Sequence, residues 1–156
     1  MHIDKILGFL TRTEGPPPLY ALKASAAAVI GMIVMILFAA PFIPAPQSSG
    51  SEPSPVALAI ILLVVWPLIS TMIIAALLRV TKRFAPTYWH AAGGAAIGFA
   101  VLLCVWLGIA VGIAYVWPFF IYATAFLAWQ LKSEAHAWGM TILIHSVVNL
   151  IPVFLI

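Results

Sequence analysis

Polar and apolar positions in this chain fall into long blocks instead of alternating. Residues 24–51, 53–78, 84–131 and 135–156 contain no Asp, Glu, Lys or Arg, and they run to 28, 26, 48 and 22 residues. A helix crossing the hydrocarbon of a bilayer needs roughly 20 apolar residues in a row. Three blocks hold one span each and the longest holds two. The pattern predicts an all-α, polytopic transmembrane bundle of about five spans, near 22–43, 56–78, 87–107, 112–131 and 136–156.

The breaks between blocks carry helix-stopping or charged residues. Glu14-Gly15-Pro16-Pro17-Pro18 is expected to interrupt any helix before the first span. Pro41, Pro44 and Pro46 close that span, and residues 44–55 form a polar linker without Lys or Arg. Pro67 is a candidate kink in span two. Arg79, Lys82 and Arg83 follow span two, and Lys132, Ser133 and Glu134 follow span four. The turn between spans three and four has no polar residue and is placed near Gly108–Gly112. Upstream, Ile3, Ile6, Leu7 and Leu10 recur at helical spacing. Residues 1–21 therefore read as an N-terminal segment that lies on the membrane as an amphipathic helix, or as a frayed terminus, ahead of a bundle over 22–156.

Composition narrows the class. Apolar residues make up 65% of the 156, and only 7 basic and 4 acidic side chains are present. Soluble domains are about a quarter charged. A soluble enzyme, a disordered chain and a disulfide scaffold are excluded. The single Cys104 lies in an apolar block and reads as a small buried hydrophobe. No cleavable signal peptide is read, because the first apolar block begins after the Pro run and outlasts a signal core. Nucleic acid is not an expected partner. The lipid bilayer and other integral membrane proteins are.

Charge placement sets an orientation. With the N-terminus in the cytoplasm, Lys5, Arg12 and Lys23, then Arg79, Lys82 and Arg83, then Lys132 all fall inside. The expected location is a bacterial inner membrane, with the C-terminus outside. Trp89, Trp129 and Trp138 are expected at the inner interface, and Trp106 and Trp117 at the outer one.

Polar residues deep in a membrane are costly unless paired, so they are the candidate site. Span five carries Thr141, His145, Ser146 and Asn149, with His145 and Asn149 on one helix face. Span two carries Ser70 and Thr71. Ser70 and His145 lie at matching depths, roughly 12–14 Å from the inner ends of their spans, so the two patches are expected to meet. Either they form a buried site or they are interhelical hydrogen bonds. Gly94 with Gly98, and Gly108 with Gly112, fit close helix packing. No metal site is expected: catalytic zinc takes three protein ligands, and only His145 is deep, with Glu134, His136 and His90 near the interface. No cofactor is predicted, although a haem or chlorophyll held by His145 alone is left open.

The segment ILIHSVVNLIPVF at 142–154 resembles the last motif of the CPBP family, the CAAX-protease and bacteriocin-processing intramembrane metalloproteases, which places His-xxx-Asn on its final core helix. The preceding PFFIYATAFLAWQLKSEAHAW is similar to that family's penultimate helix and loop, and WPLISTMIIAALLRVTKRF to its first motif segment. By this resemblance the family's Glu-Glu-xxx-Arg falls on Ser70, Thr71 and Ala75, and its Phe-xxx-His on Phe99 and Leu103. Ser and Thr cannot take up a proton near pH 7, and Leu cannot bind metal. The resemblance thus implies a pseudoprotease: a CPBP-like core acting as scaffold, adaptor or accessory subunit of a membrane complex. The alternatives are a haem- or chlorophyll-carrying subunit of an electron-transfer or photosynthetic complex, and a degenerate intramembrane metalloprotease.

Overall fold

The computed structural model describes residues 7–43 and 54–154. Residues 1–6 of the expected amphipathic segment, and most of the 44–55 linker, lie outside them. Among the described residues there is no strand, and five helices are long and apolar enough to cross a membrane. They are α1 (Pro17–Ala39, prolonged by a 3-10 turn at Ala40–Phe42), α2 (Pro55–Thr81), α3 (Tyr88–Leu107), α4 (Ile109–Gln130) and α5 (Glu134–Phe154). Ahead of them, Gly8–Thr11 forms a single 3-10 turn with Leu10 fully buried.

The helix starts follow from local chemistry. α1 begins at Pro17, not at residue 22, because Pro17 and Pro18 occupy its first positions. Proline there has its φ preset and no intrahelical donor to lose, so the run expected to break a helix initiates one. Ser54 caps α2 by accepting from Ala57 N–H at 3.3 Å, with Pro55 at the first helical position. Thr87 caps α3 through His90 N–H, and Ser133 Oγ accepts from His136 N–H at 3.1 Å as α5 begins. Between α3 and α4 the chain reverses at Gly108 alone, whose φ of 100° suits glycine.

α4 is the central helix. It packs on α1, α3 and α5 and touches α2. Phe119, Tyr122, Phe126 and Trp129 on α4 are buried, and α3 presents Ala91, Ala92, Ala95, Ala96 and Ala100 as a smooth stripe. Small residues let backbones close up where no hydrophobic effect drives helices together. α1 and α2 are peripheral. Only 17% and 22% of their most apolar stretches are covered, against 50% for α4. Ile33, Leu37 and Phe38 on α1 all face outward.

The glycines sort by what surrounds them. A Cβ on Gly94 or Gly98 would lie 3.1 Å from Thr81 or 3.4 Å from Leu77, so both sit where α3 meets α2. Gly112 is the tightest position of the α3–α4 hairpin: a Cβ there would overlap Cys104 Sγ and lie 2.7 Å from the Ala100 carbonyl. Gly108 is no packing glycine, since nothing lies within 4 Å of its Cβ position; it serves the turn. Gly31 is a notch in α1 that receives the Trp117 indole, whose Nε1–H donates to Ala27 O at 2.9 Å. Trp117 is therefore not an interfacial anchor but a plug between α4 and the middle of α1.

All six described basic side chains gather at one end of the bundle, with Arg12, Lys23, Arg79, Lys82, Arg83 and Lys132 on neighbouring segments. Lys82 Nζ donates to Gln130 at 2.8 Å, Arg79 meets Glu134 at 3.8 Å, and Lys132 donates to the Thr13 carbonyl and lies over Trp129. Tyr20 donates to Leu10 O at 2.8 Å, which fastens the first turn to α1.

Candidate functional site

The polar residues of α2 and α5 meet around one proline. Residues Ile61–Val65 of α2 form a π-helical turn, in which Trp66 N–H reaches back five residues to Ile61 O. The next donor in that register would be residue 67, but Pro67 has no N–H. The break deprives Leu62 O of its donor in the π register and Leu63 O of its donor in the α register. Inside a bilayer no water replaces them. α5 does. Asn149 Nδ2 donates to Leu62 O at 2.7 Å, and Ser146 Oγ donates to Leu63 O at 2.8 Å. Ser146 and Asn149 are three residues apart, so both point to one helix face, toward the two adjacent carbonyls. On the far side of the break, Ser70 and Thr71 hydroxyls donate to Pro67 O at 3.1 and 2.7 Å.

His145 joins this cluster. Its Nδ1 lies 2.8 Å from Ser70 Oγ. Ser70 has one hydroxyl proton and two neighbours for it. If that proton goes to Pro67 O, His145 carries its own on Nδ1 and donates to Ser70, which makes two bonds. If it goes to His145, only one bond forms. The count places the imidazole proton on Nδ1. The ring is fully buried: it stacks on Tyr122 with centroids 4.5 Å apart and meets the edge of Phe119 at 6.0 Å. The Thr71 hydroxyl donates to Pro67 O. Thr141, one turn before His145, is buried as well. His145 Nε2, Tyr122 Oη and Thr141 Oγ1 have no hydrogen-bond partner among the described residues.

The His145 ring packs against Tyr122 and Phe119. Among the described residues no group of three His, Cys, Asp or Glu is close enough to share a metal ion. His90 and His136 are engaged locally with Thr87 and Ser133, each at 2.6 Å. Ala75, Phe99 and Leu103 are each buried, as are Ser70, Thr71, His145 and Asn149. What the arrangement does is satisfy a broken backbone by side chains from a second helix, which fixes α5 against α2 in one register. The Leu62 and Leu63 carbonyls, Tyr122 and Phe119 did not emerge from residue types. Pro67 was the available signal, since a proline in a span implies carbonyls that another element must satisfy. No protein-family model, curated protein or solved structure matches this chain.

Proposed function

We propose that the chain is a catalytically inactive, CPBP-like membrane protein that works as a scaffold, adaptor or accessory subunit by binding another integral membrane protein. One observation carries this reading: Ser146 and Asn149 of α5 are engaged in closing the Pro67 break, and the Ser70 and Thr71 hydroxyls of α2 are turned back onto Pro67 O. Ser70 and Thr71, at the positions where the resemblance would put an activating acid, are hydrogen-bonded to backbone. The outward faces of α1 and of the first half of α2 are apolar and little covered by the rest of the bundle. They are the surfaces a partner helix would meet. The proposed setting is a bacterial inner membrane with the basic end of the bundle in the cytoplasm, following the bias of Lys and Arg toward that side.

Photo-crosslinking in the native membrane tests the reading. A photoreactive residue at Leu37 or Phe38 on α1 should give one discrete protein adduct, with the same partner from both positions. Val105 on α3, equally outward, serves as the control. Adducts with lipid alone from all three positions would overturn it. Elemental and pigment analysis of the purified protein addresses the alternatives: stoichiometric zinc would favour the protease, and a Soret or chlorophyll band the cofactor subunit.

A further inference from the structure

We propose that the groove between the Gly8–Thr11 turn and the start of α1 holds the phosphate of an anionic phospholipid, gripped by Arg12 and Lys23. The groove is open to one side and has a volume of about 220 Å³. Phe9, Leu19 and Tyr20 supply apolar lining, and Arg12 and Lys23 line it as well. Its shape is set before any ligand arrives. Tyr20 donates to Leu10 O, Thr11 to Gly8 O, and Lys132 to Thr13 O, so the turn and the stretch after it are tied to the bundle.

The charges single out this groove. Arg79, Lys82 and Lys132 each have a protein partner for their side chains, whereas those of Arg12, Lys23 and Arg83 have none among the described residues, and of these three Arg12 and Lys23 line the groove. Glu14 does not line the groove. Pro16, Pro17 and Pro18 carry no N–H, so this helix start offers an anion fewer backbone donors than an ordinary one and leaves more of the binding to the two side chains. Arg12 offers a planar fork suited to phosphate oxygens and Lys23 a mobile point charge. Depth points to a lipid over a free ion. Lys23 stands six residues into α1, roughly 9 Å along its axis from Pro17, and the charge-free block begins at residue 24. Leu19 and Leu22 are exposed beside it, where acyl chains would run once the headgroup is seated. Basic pockets at the ends of spanning helices are suited to such headgroups.

Native mass spectrometry of the full chain, released from micelles containing phosphatidylglycerol or phosphatidylcholine with identical acyl chains, tests this. The expected result is one phosphatidylglycerol retained per protein, with phosphatidylcholine lost. Arg12→Gln with Lys23→Gln should weaken retention about tenfold or more, from two surface cations. Arg12→Lys with Lys23→Arg should retain the lipid, and Arg83→Gln, at the same end but outside the groove, should leave it unchanged. Equal retention of both lipids would overturn the proposal. So would an equal loss in Arg83→Gln, which would mean diffuse attraction to the basic face. Displacement of the lipid by millimolar inorganic phosphate would make a soluble anion the ligand and overturn the lipid assignment.

Discussion

At the scale of single residues, His145 and the glycines make separable contributions. His145 supplies one interhelical hydrogen bond and a fully buried ring. His145→Phe keeps an aromatic ring against Tyr122, adds a little volume and loses the bond. It is expected to cost about 1 kcal/mol, the scale of one interhelical contact. His145→Ala also opens a cavity against Tyr122 and Phe119, and is expected to cost about 2–4 kcal/mol. Reversible unfolding in mixed micelles checks the pair. Equal costs for the two variants would mean that the stack contributes nothing. Among glycines, Gly112→Ala should be the more damaging change, about 1–3 kcal/mol, because the Ala100 carbonyl it would crowd is backbone and cannot step aside. Gly139→Ala should stabilise α5 by about 0.5–1 kcal/mol, since nothing lies within 4 Å of its Cβ position. The same unfolding assay distinguishes them by sign. None of this could be read from Gly-xxx-Gly spacing, which treats Gly108 and Gly112 alike and passes over Gly31. Spacing describes one helix, and the need for a missing Cβ is decided by its neighbour.

At the scale of elements, the π turn and α5 act as one device. Asn149 is useful because Pro67 is where it is, so their effects should not add. In the native background, Asn149→Leu leaves Leu62 O without a donor and should cost about 1–2 kcal/mol. After Pro67→Ala the restored N–H can return to the carbonyl, and the same change should cost about 1 kcal/mol less. A double-mutant cycle by steric-trap unfolding measures that coupling, and strict additivity would refute it. The spans themselves were legible in the chain because a hydrocarbon core imposes a length and forbids charge. The level match of Ser70 with His145 was legible because helical rise turns residue counts into depth. What the cluster serves was not. That depended on which carbonyls were unpaired, and residue types do not list backbone groups. The start of α1 at Pro17 was missed for a related reason: the same proline ends or begins a helix according to whether its missing N–H had a carbonyl to reach.

For the whole molecule, the segregation of basic side chains to one end makes a statement about topology that labelling can check. In a chain with Cys104 replaced by Ala, a cysteine at Ser49 is expected to react with a membrane-impermeant maleimide from outside intact cells. One at Arg83 is expected to react only after the cytoplasmic side is opened. The reverse pattern would invert the proposed orientation. The bundle also has an uneven build. α3, α4 and the inner half of α5 share the alanine stripe and the aromatic core, while α1 and the start of α2 hang on the outside. Cleavage or exchange methods that report local opening should find the first half of α2 loosest, since its described contacts run mainly through the π turn to α5.

The one-residue turn at Gly108 has a consequence for how the protein is made. α3 and α4 leave no linker between them that could wait on the far side of the bilayer. Neither helix can be threaded, released and later joined by the other. They must enter the lipid together as a closed hairpin, with Gly112 already seated against Ala100. The nascent chain is therefore expected to insert the 43 residues from Tyr88 to Gln130 in a single step, the two helices together with Gly108 between them. A lesion at Gly108 or Gly112 would be felt in biogenesis, as failed membrane integration, before it could be felt as lost stability in a finished bundle.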